Sequence, residues 1–205
     1  MSTINVDLIR SNTGPTNGND PVRLEFAGFW TGYNTNCQGS HSATFGNNSS
    51  TIGNYSFAQG WNGLAHGDYS HAEGYATQAN GYASHSEGRQ TFANGGYSHS
   101  EGLGTKAHGD YSHSEGQSSE ATGNYSHAEG YFTDANGDYS HVEGNGTRAN
   151  GDYAHAEGWN TKANGLASHA EGNDTTAAAQ HSHAEGNKTT AMGTASHAEG
   201  EDTTA

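Results

Sequence analysis

The residues with chemistry to offer are histidines and glutamates that recur together. Ten pairs, each His two positions before its Glu, follow one another at intervals of 14 residues: His71/Glu73, His85/Glu87, His99/Glu101, His113/Glu115, His127/Glu129, His141/Glu143, His155/Glu157, His169/Glu171, His183/Glu185 and His197/Glu199. An imidazole next to a carboxylate can share a proton, ligate a transition ion or activate a nucleophile. Half of the pairs sit in Ser-His-Ala-Glu-Gly and nine of the ten follow a Ser, and the Ser beside His raises a hydrolase reading. On a strand, however, Ser70 and His71 point to opposite faces and cannot form a triad. Ten equal copies also argue against a single active site, so no catalysis is expected. His and Glu at i and i+2, or a ring of imidazoles, would suit a metal, with His66, His108, His181 and His183 as further donors. No cofactor is expected, and a metal ion on a His-lined axis is kept only as an alternative. The nonapeptide Gly/Asp pattern of calcium rolls is absent.

The elements that hold these pairs follow from a second regularity. From Gly32 to Gly200 a Gly stands at every seventh position, with Ala179 the one lapse. Coiled-coil heptads need apolar seams, whereas the fixed residues here are Gly, Ser and Ala, and each Gly costs a helix ~1 kcal/mol. Strand alternation fits instead. In Ser-x-Ala-x-Gly and the looser Thr-x-Ala-x-Gly between its copies, small residues share one face and the intervening residues the other. Asn-Gly dipeptides such as Asn80-Gly81 are expected to make the turns. Fourteen residues then form one coil of two short strands, and twelve such steps stacked ~4.8 Å apart span roughly 58 Å. The expected fold is an all-β parallel β-roll, a β-solenoid over residues 28–205, preceded by a lead, cap or docking segment over residues 1–27.

Composition supports this against disorder. Hydrophobic residues make up only 30% of the chain and the formal charge is −15, a disorder-like balance, yet Gly, Ser, Ala and His fall at fixed positions. Seven Lys and Arg in all argue against nucleic acid as a partner. No stretch reaches the ~20 apolar residues of a membrane span, and no membrane insertion is expected. The opening residues lack a signal-peptide pattern. Cys37 is expected to fill a small interior slot.

The two outward faces differ. One runs through Gln78, Phe92, Lys106, Glu120, Asp134, Arg148 and Lys162, a scatter that open solvent tolerates. The other carries His and Glu without exception, preceded by Phe29, Phe45 and Phe57, which need a cover. The economical cover is two further copies of the chain, giving a homotrimer with these residues on its axis. The repeats resemble the left-handed parallel β-roll of YadA-like trimeric adhesin heads, with His71 and Glu73 at positions that face the trimer axis in that family. The Ser-His-Ala-Glu-Gly version also resembles repeats of bacteriophage tail-fibre and tail-spike proteins. The resemblance implies a trimer and a viral fibre or spike on the virion, with a bacterial surface adhesin as the alternative. On the axis, His protonation by the carboxylates is expected, with raised His pKa values.

Other columns invite smaller expectations. Thr77, Thr91 and Thr105 take inward slots and so are not an ice-binding face. Tyr55, Tyr69, Tyr97, Tyr111, Tyr125, Tyr139 and Tyr153 form an aromatic ladder, with a sugar-binding edge as the alternative. Tyr75, Arg89, Leu103, Tyr131 and Trp159 are candidate contacts for a host glycan or protein. Residues 1–27 are expected to join other virion or tail proteins, and the break within a repeat at Ala205 suggests continuation, cleavage or docking there.

Overall fold

A computed structural model describes residues 28–205, which form a parallel β-solenoid with a 14-residue repeat and, among those residues, no helix. The lead expected over residues 1–27 lies outside the described residues. A typical coil contributes a five-residue strand, such as His71–Tyr75, and a two-residue strand, such as Gln78–Ala79. The long strands stack in chain order into a 13-stranded sheet and the short strands into a 12-stranded one. Register is fixed at one repeat: His71 lies beside His85, Glu73 beside Glu87 and Gln78 beside Phe92. Every side chain therefore sits above its counterpart 14 residues away, and a sequence column becomes a physical column.

The interior holds only small side chains. Ala72, Ala79 and Thr77 are fully buried and Ser70 nearly so, while the largest enclosed side chain is Val142. So thin a core buries little apolar area per coil, and polar contacts take a large share of its cohesion. The Ser before most column His residues fastens the turn that precedes its long strand, Ser196 being an exception whose hydroxyl has no partner. Ser70 Oγ donates to the Gly67 carbonyl at 2.6 Å, Ser98 Oγ to Gly95 at 2.7 Å and Ser126 Oγ to Gly123 at 2.6 Å. Cys37 lies in the column of Thr51 and Ala65, its Sγ 3.1 Å from both Ser42 Oγ and Thr51 Oγ1, as a filler of a small slot would.

The inward Thr column divides into two regions. Thr91 and Thr105 meet the hydroxyls of Ser86 and Ser100 at 2.8 Å. Where the facing slot is Ala or Val, as at Ala72, Ala128, Val142 and Ala156, the hydroxyls of Thr77, Thr133, Thr147 and Thr161 are enclosed without a hydrogen-bond partner.

The glycine grid resolves into two columns with different reasons, which corrects the expectation that Asn-Gly makes the turn. Gly81 has an ordinary φ, and a Cβ there would sit 1.9 Å from the Gly95 carbonyl oxygen, so close approach of successive backbones requires Gly. The left-handed corner falls two residues later, at Ala83 (φ 50°) or, in other coils, at Tyr residues such as Tyr69 (φ 61°) and Tyr97 (φ 58°). Gly74 needs both freedoms, because its φ is +118° and its Cβ would meet the Gly88 oxygen at 2.1 Å.

Candidate functional site

The long-strand sheet turns Ala inward, and alternation therefore sends its His and Glu outward on one face. All ten pairs line that face in two parallel columns. Imidazoles stack nearly flat on one another, at 4.6 Å for His71/His85, 4.8 Å for His99/His113 and 4.7 Å for His183/His197, with interplanar angles of 5° or less. Phe57 stands beside His71 and heads the imidazole column, its ring edge-on at 5.0 Å. Phe45 stands beside Gln59, which stands beside Glu73, so it heads the glutamate column instead of sharing a row with Phe57. The two Phe rings touch diagonally at 5.5 Å. The side chain of Phe29 lies outside the described residues.

Each carboxylate faces two imidazoles. Glu87 presents Oε2 to His85 Nε2 at 3.9 Å and Oε1 to His99 Nε2 at 4.0 Å, and Glu171 does the same for His169 at 4.0 Å and His183 at 3.7 Å. These separations exceed hydrogen-bond range. Accordingly, the Nε2 atoms of His71 and His85, and of every column His from His99 to His183, are enclosed without a hydrogen-bond partner.

Protonated imidazoles were the expectation for the axis of a trimer; in the single chain four of them shift the other way. Burial, followed by the like charges of stacked neighbours, lowers the pKa of His85, His113 and His155, and burial with His141 lowers that of His127. The like-charge column outweighs the carboxylates beside it. The glutamates behave as a proton-sharing ladder. Glu87 is pushed up to about 7, first by its hydrogen bond to Glu101, then by burial and by Glu73. Glu115 rises to about 7 through its hydrogen bonds to Glu101 and Glu129. Glu101 and Glu129, the acceptors of that sharing, are lowered.

The short-strand face carries several pairings within the chain. Arg148 donates to Asp134 Oδ2 at 2.7 and 2.9 Å, Lys106 Nζ lies 3.4 Å from Glu120, and His108 Nε2 lies 3.2 Å from the same carboxylate. Asn136 donates to Asn150 at 2.9 Å and Asn150 to Asn164 at 2.6 Å. The scatter along this face conceals pairings spaced one coil apart. Of the extra metal donors, His108 is engaged with Asn94 and Glu120, whereas His183 belongs to the imidazole column.

Two further columns run along the rod. Tyr rings stack at 4.8 to 5.1 Å in pairs such as Tyr55/Tyr69, Tyr111/Tyr125 and Tyr139/Tyr153, and Tyr82 bridges Tyr69 and Tyr97 edge-on. Neighbouring rings cover the faces that a sugar would stack on, which favours the structural ladder. Tyr75, Arg89, Leu103, Tyr131 and Trp159 occupy a single exposed column at the ends of the long strands. Trp61 precedes Tyr75 in it, after Tyr33 and Asn47, and stacks on Tyr75 at 6.5 Å, while Arg89 lies 5.6 Å over the Tyr75 ring. Trp61 was missing from the sequence-based set, although its place 14 residues before Tyr75 marks it.

Neither a protein-family model nor a curated protein matches this chain.

Proposed function

We propose that the chain is the shaft of a homotrimeric fibre or spike, packed about its axis through the His/Glu face and presenting a host-attachment surface. The observation that carries this reading is the uniformity of that face. The short-strand face ties coil to coil with Lys/Glu, Asp/Arg and Asn/Asn in turn. Intrachain stacking therefore does not demand one residue pair. A pair repeated ten times answers a surface that repeats with the same period, and a second and third copy of this rod are the simplest such surface.

In this reading Phe45, Phe57 and the ten pairs lie on the axis, and the winding is left-handed, as in the YadA-like heads the repeats resemble. The exposed column of Trp61, Tyr75, Arg89, Tyr131 and Trp159 faces outward, where aromatic and Arg side chains suit a host glycan or protein. The virion is the proposed location, on the likeness of Ser-His-Ala-Glu-Gly repeats to phage fibre and spike repeats, with the segment over residues 1–27 joining other virion proteins. The rod is proposed to act without catalysis.

Light scattering on the purified chain tests the assembly. Three times the 21.4 kDa chain mass is expected, and a monomer at all concentrations would overturn it. Binding of the purified rod to host cells, with loss on substitution of Tyr75 and Trp159, tests the attachment surface.

A further inference from the structure

The enclosed Nε2 atoms of the imidazole column are unexplained by the packing of the chain. From His85 onward each faces a carboxylate of its own coil and a carboxylate of the preceding coil, whereas His71 has Gln59 in the preceding coil. In Glu87/His99/Glu101 the Nε2 atom is 4.0 Å from one and 3.7 Å from the other, and in Glu115/His127/Glu129 it is 3.8 Å from both. A direct hydrogen bond would be shorter. With bonds of about 2.1 Å, two ligands of a tetrahedral ion stand ~3.4 Å apart. His71 Nε2 and Glu73 already have that separation at 3.4 Å, and His197 and Glu185 are at 3.5 Å. The other His–Glu contacts of the column, at 3.7 to 4.0 Å, need a few tenths of an ångström of side-chain rotation, and triads such as Glu101/His113/Glu115, whose ligand atoms lie within 4.8 Å of one another, need up to about 1.4 Å.

We propose that the His/Glu/Glu triads along the long-strand sheet are inner-sphere sites for a borderline divalent transition ion of the zinc or cobalt type. The ligand atoms of Glu73/His85/Glu87, Glu87/His99/Glu101, Glu101/His113/Glu115 and Glu115/His127/Glu129 lie within 4.8 Å of one another, and His183/Glu185/His197 ends the series. One imidazole nitrogen with two carboxylate oxygens selects such an ion over calcium or magnesium, which prefer all-oxygen shells. The two faces of the rod differ in the same sense. On the short-strand face the carboxylates are already in contact with cations, as with Arg148 and Asp134 at 2.7 Å and Lys106 and Glu120 at 3.4 Å, whereas here the donors converge on a gap.

Adjacent triads share a carboxylate, so full occupation runs through alternate triads. Each bound ion then balances two glutamates, which removes the like-charge strain of the glutamate column. The three ligands come from one chain and leave a fourth position open to water or to a neighbouring chain. The site therefore stands whether or not the trimer forms.

The test uses the full chain, stripped with chelator and dialysed into metal-free buffer near pH 7.5. Cobalt(II) is added while visible absorption is recorded, followed by competition with zinc, calcium and magnesium. A ligand-field band should grow to about one ion for every two column glutamates, or about five per chain, and zinc but not calcium or magnesium should abolish it. A triple variant, Glu87→Gln/Glu101→Gln/Glu115→Gln, keeps side-chain shape while removing ligands from two alternate triads, and should lose about two ions per chain. The pair Glu120→Gln/Asp134→Asn on the short-strand face should lose none. Absence of the band, displacement by calcium, or unchanged stoichiometry in the triple variant would each overturn the proposal. Light scattering on the same samples separates this result from the assembly: a monomer that binds cobalt as described would refute the trimer and leave the ion sites standing.

Discussion

The two outward faces of this rod are built on the same backbone and the same 14-residue register, yet they solve the problem of stacked charge differently. On the short-strand face the residue changes from coil to coil: opposite charges meet at Lys106/Glu120 and Asp134/Arg148, like charges adjoin at Glu120/Asp134 and Arg148/Lys162, and the ion and amide pairs that form close at 2.6 to 3.4 Å. On the long-strand face identical residues stack on identical residues, and the donors stop at 3.4 to 4.0 Å from the acceptors. In a parallel in-register sheet every residue faces its own counterpart, so a fixed sequence guarantees like-on-like repulsion. Variation relieves it. The chain varies on the face whose contacts close within it and holds constant on the face where we propose that a further chain or an ion completes the site.

Both faces hang on the glycine columns, and the largest effect comes from breaking those. Gly102→Ala places a Cβ 2.2 Å from the Gly116 oxygen at a φ of +105°, and the repeat should not close there, with loss of the cooperative melt in circular dichroism. Gly96→Ala, whose Cβ would meet nothing nearer than Asp110 Oδ1 at 3.4 Å, should fold and melt close to the parent.

Next in size is a comparison of the faces themselves. Replacing His113 and Glu115 by Ala should lower the melting temperature and the trimeric fraction seen by light scattering. Replacing Asp134 and Arg148 by Ala should leave the mass unchanged and cost at most about 1 kcal/mol, because that pair is solvent-exposed.

The interior offers a sharper contrast. Thr91→Val strands the Ser86 hydroxyl and should destabilise by about 1–3 kcal/mol in denaturant melts. Thr133→Val removes a hydroxyl that has no partner, and should be neutral or stabilising.

The smallest effect is a pH dependence confined to the glutamate column. Glu115 is held at about 7, above the ordinary 4.5. Its proton-bound form therefore favours folding fully below pH 4.5, and that contribution is lost as pH rises through about 7. In chelator-treated protein, Glu115→Gln should raise the melting temperature at pH 8 and change little at pH 4.5. The imidazoles act in the opposite sense. Lowered pKa values at His85, His113, His127 and His155 favour folding above the unfolded His value of about 6.5, and that support fades as pH falls below it. His113→Gln should therefore soften the loss of stability in mild acid, read from melts over the same pH series.

Much of this was legible in the sequence because an in-register solenoid converts spacing directly into position. The Gly at every seventh residue, Ala between His and Glu, and Thr beside Ala were enough to define coil length, the inward slots and the two outward columns. The division of labour between the glycine columns was not legible, since close approach at Gly81 and a left-handed turn at Gly74 ask for the same residue. The placement of Phe45 was legible but passed over: it stands two 14-residue periods before Glu73, and strand pairing puts it in the glutamate column accordingly. In the single chain four imidazoles shift against the protonation inferred from His next to Glu. Sequence shows the carboxylate two residues away, while the stronger influences are burial and the imidazoles one coil above and below, neighbours that exist only once the chain is wound.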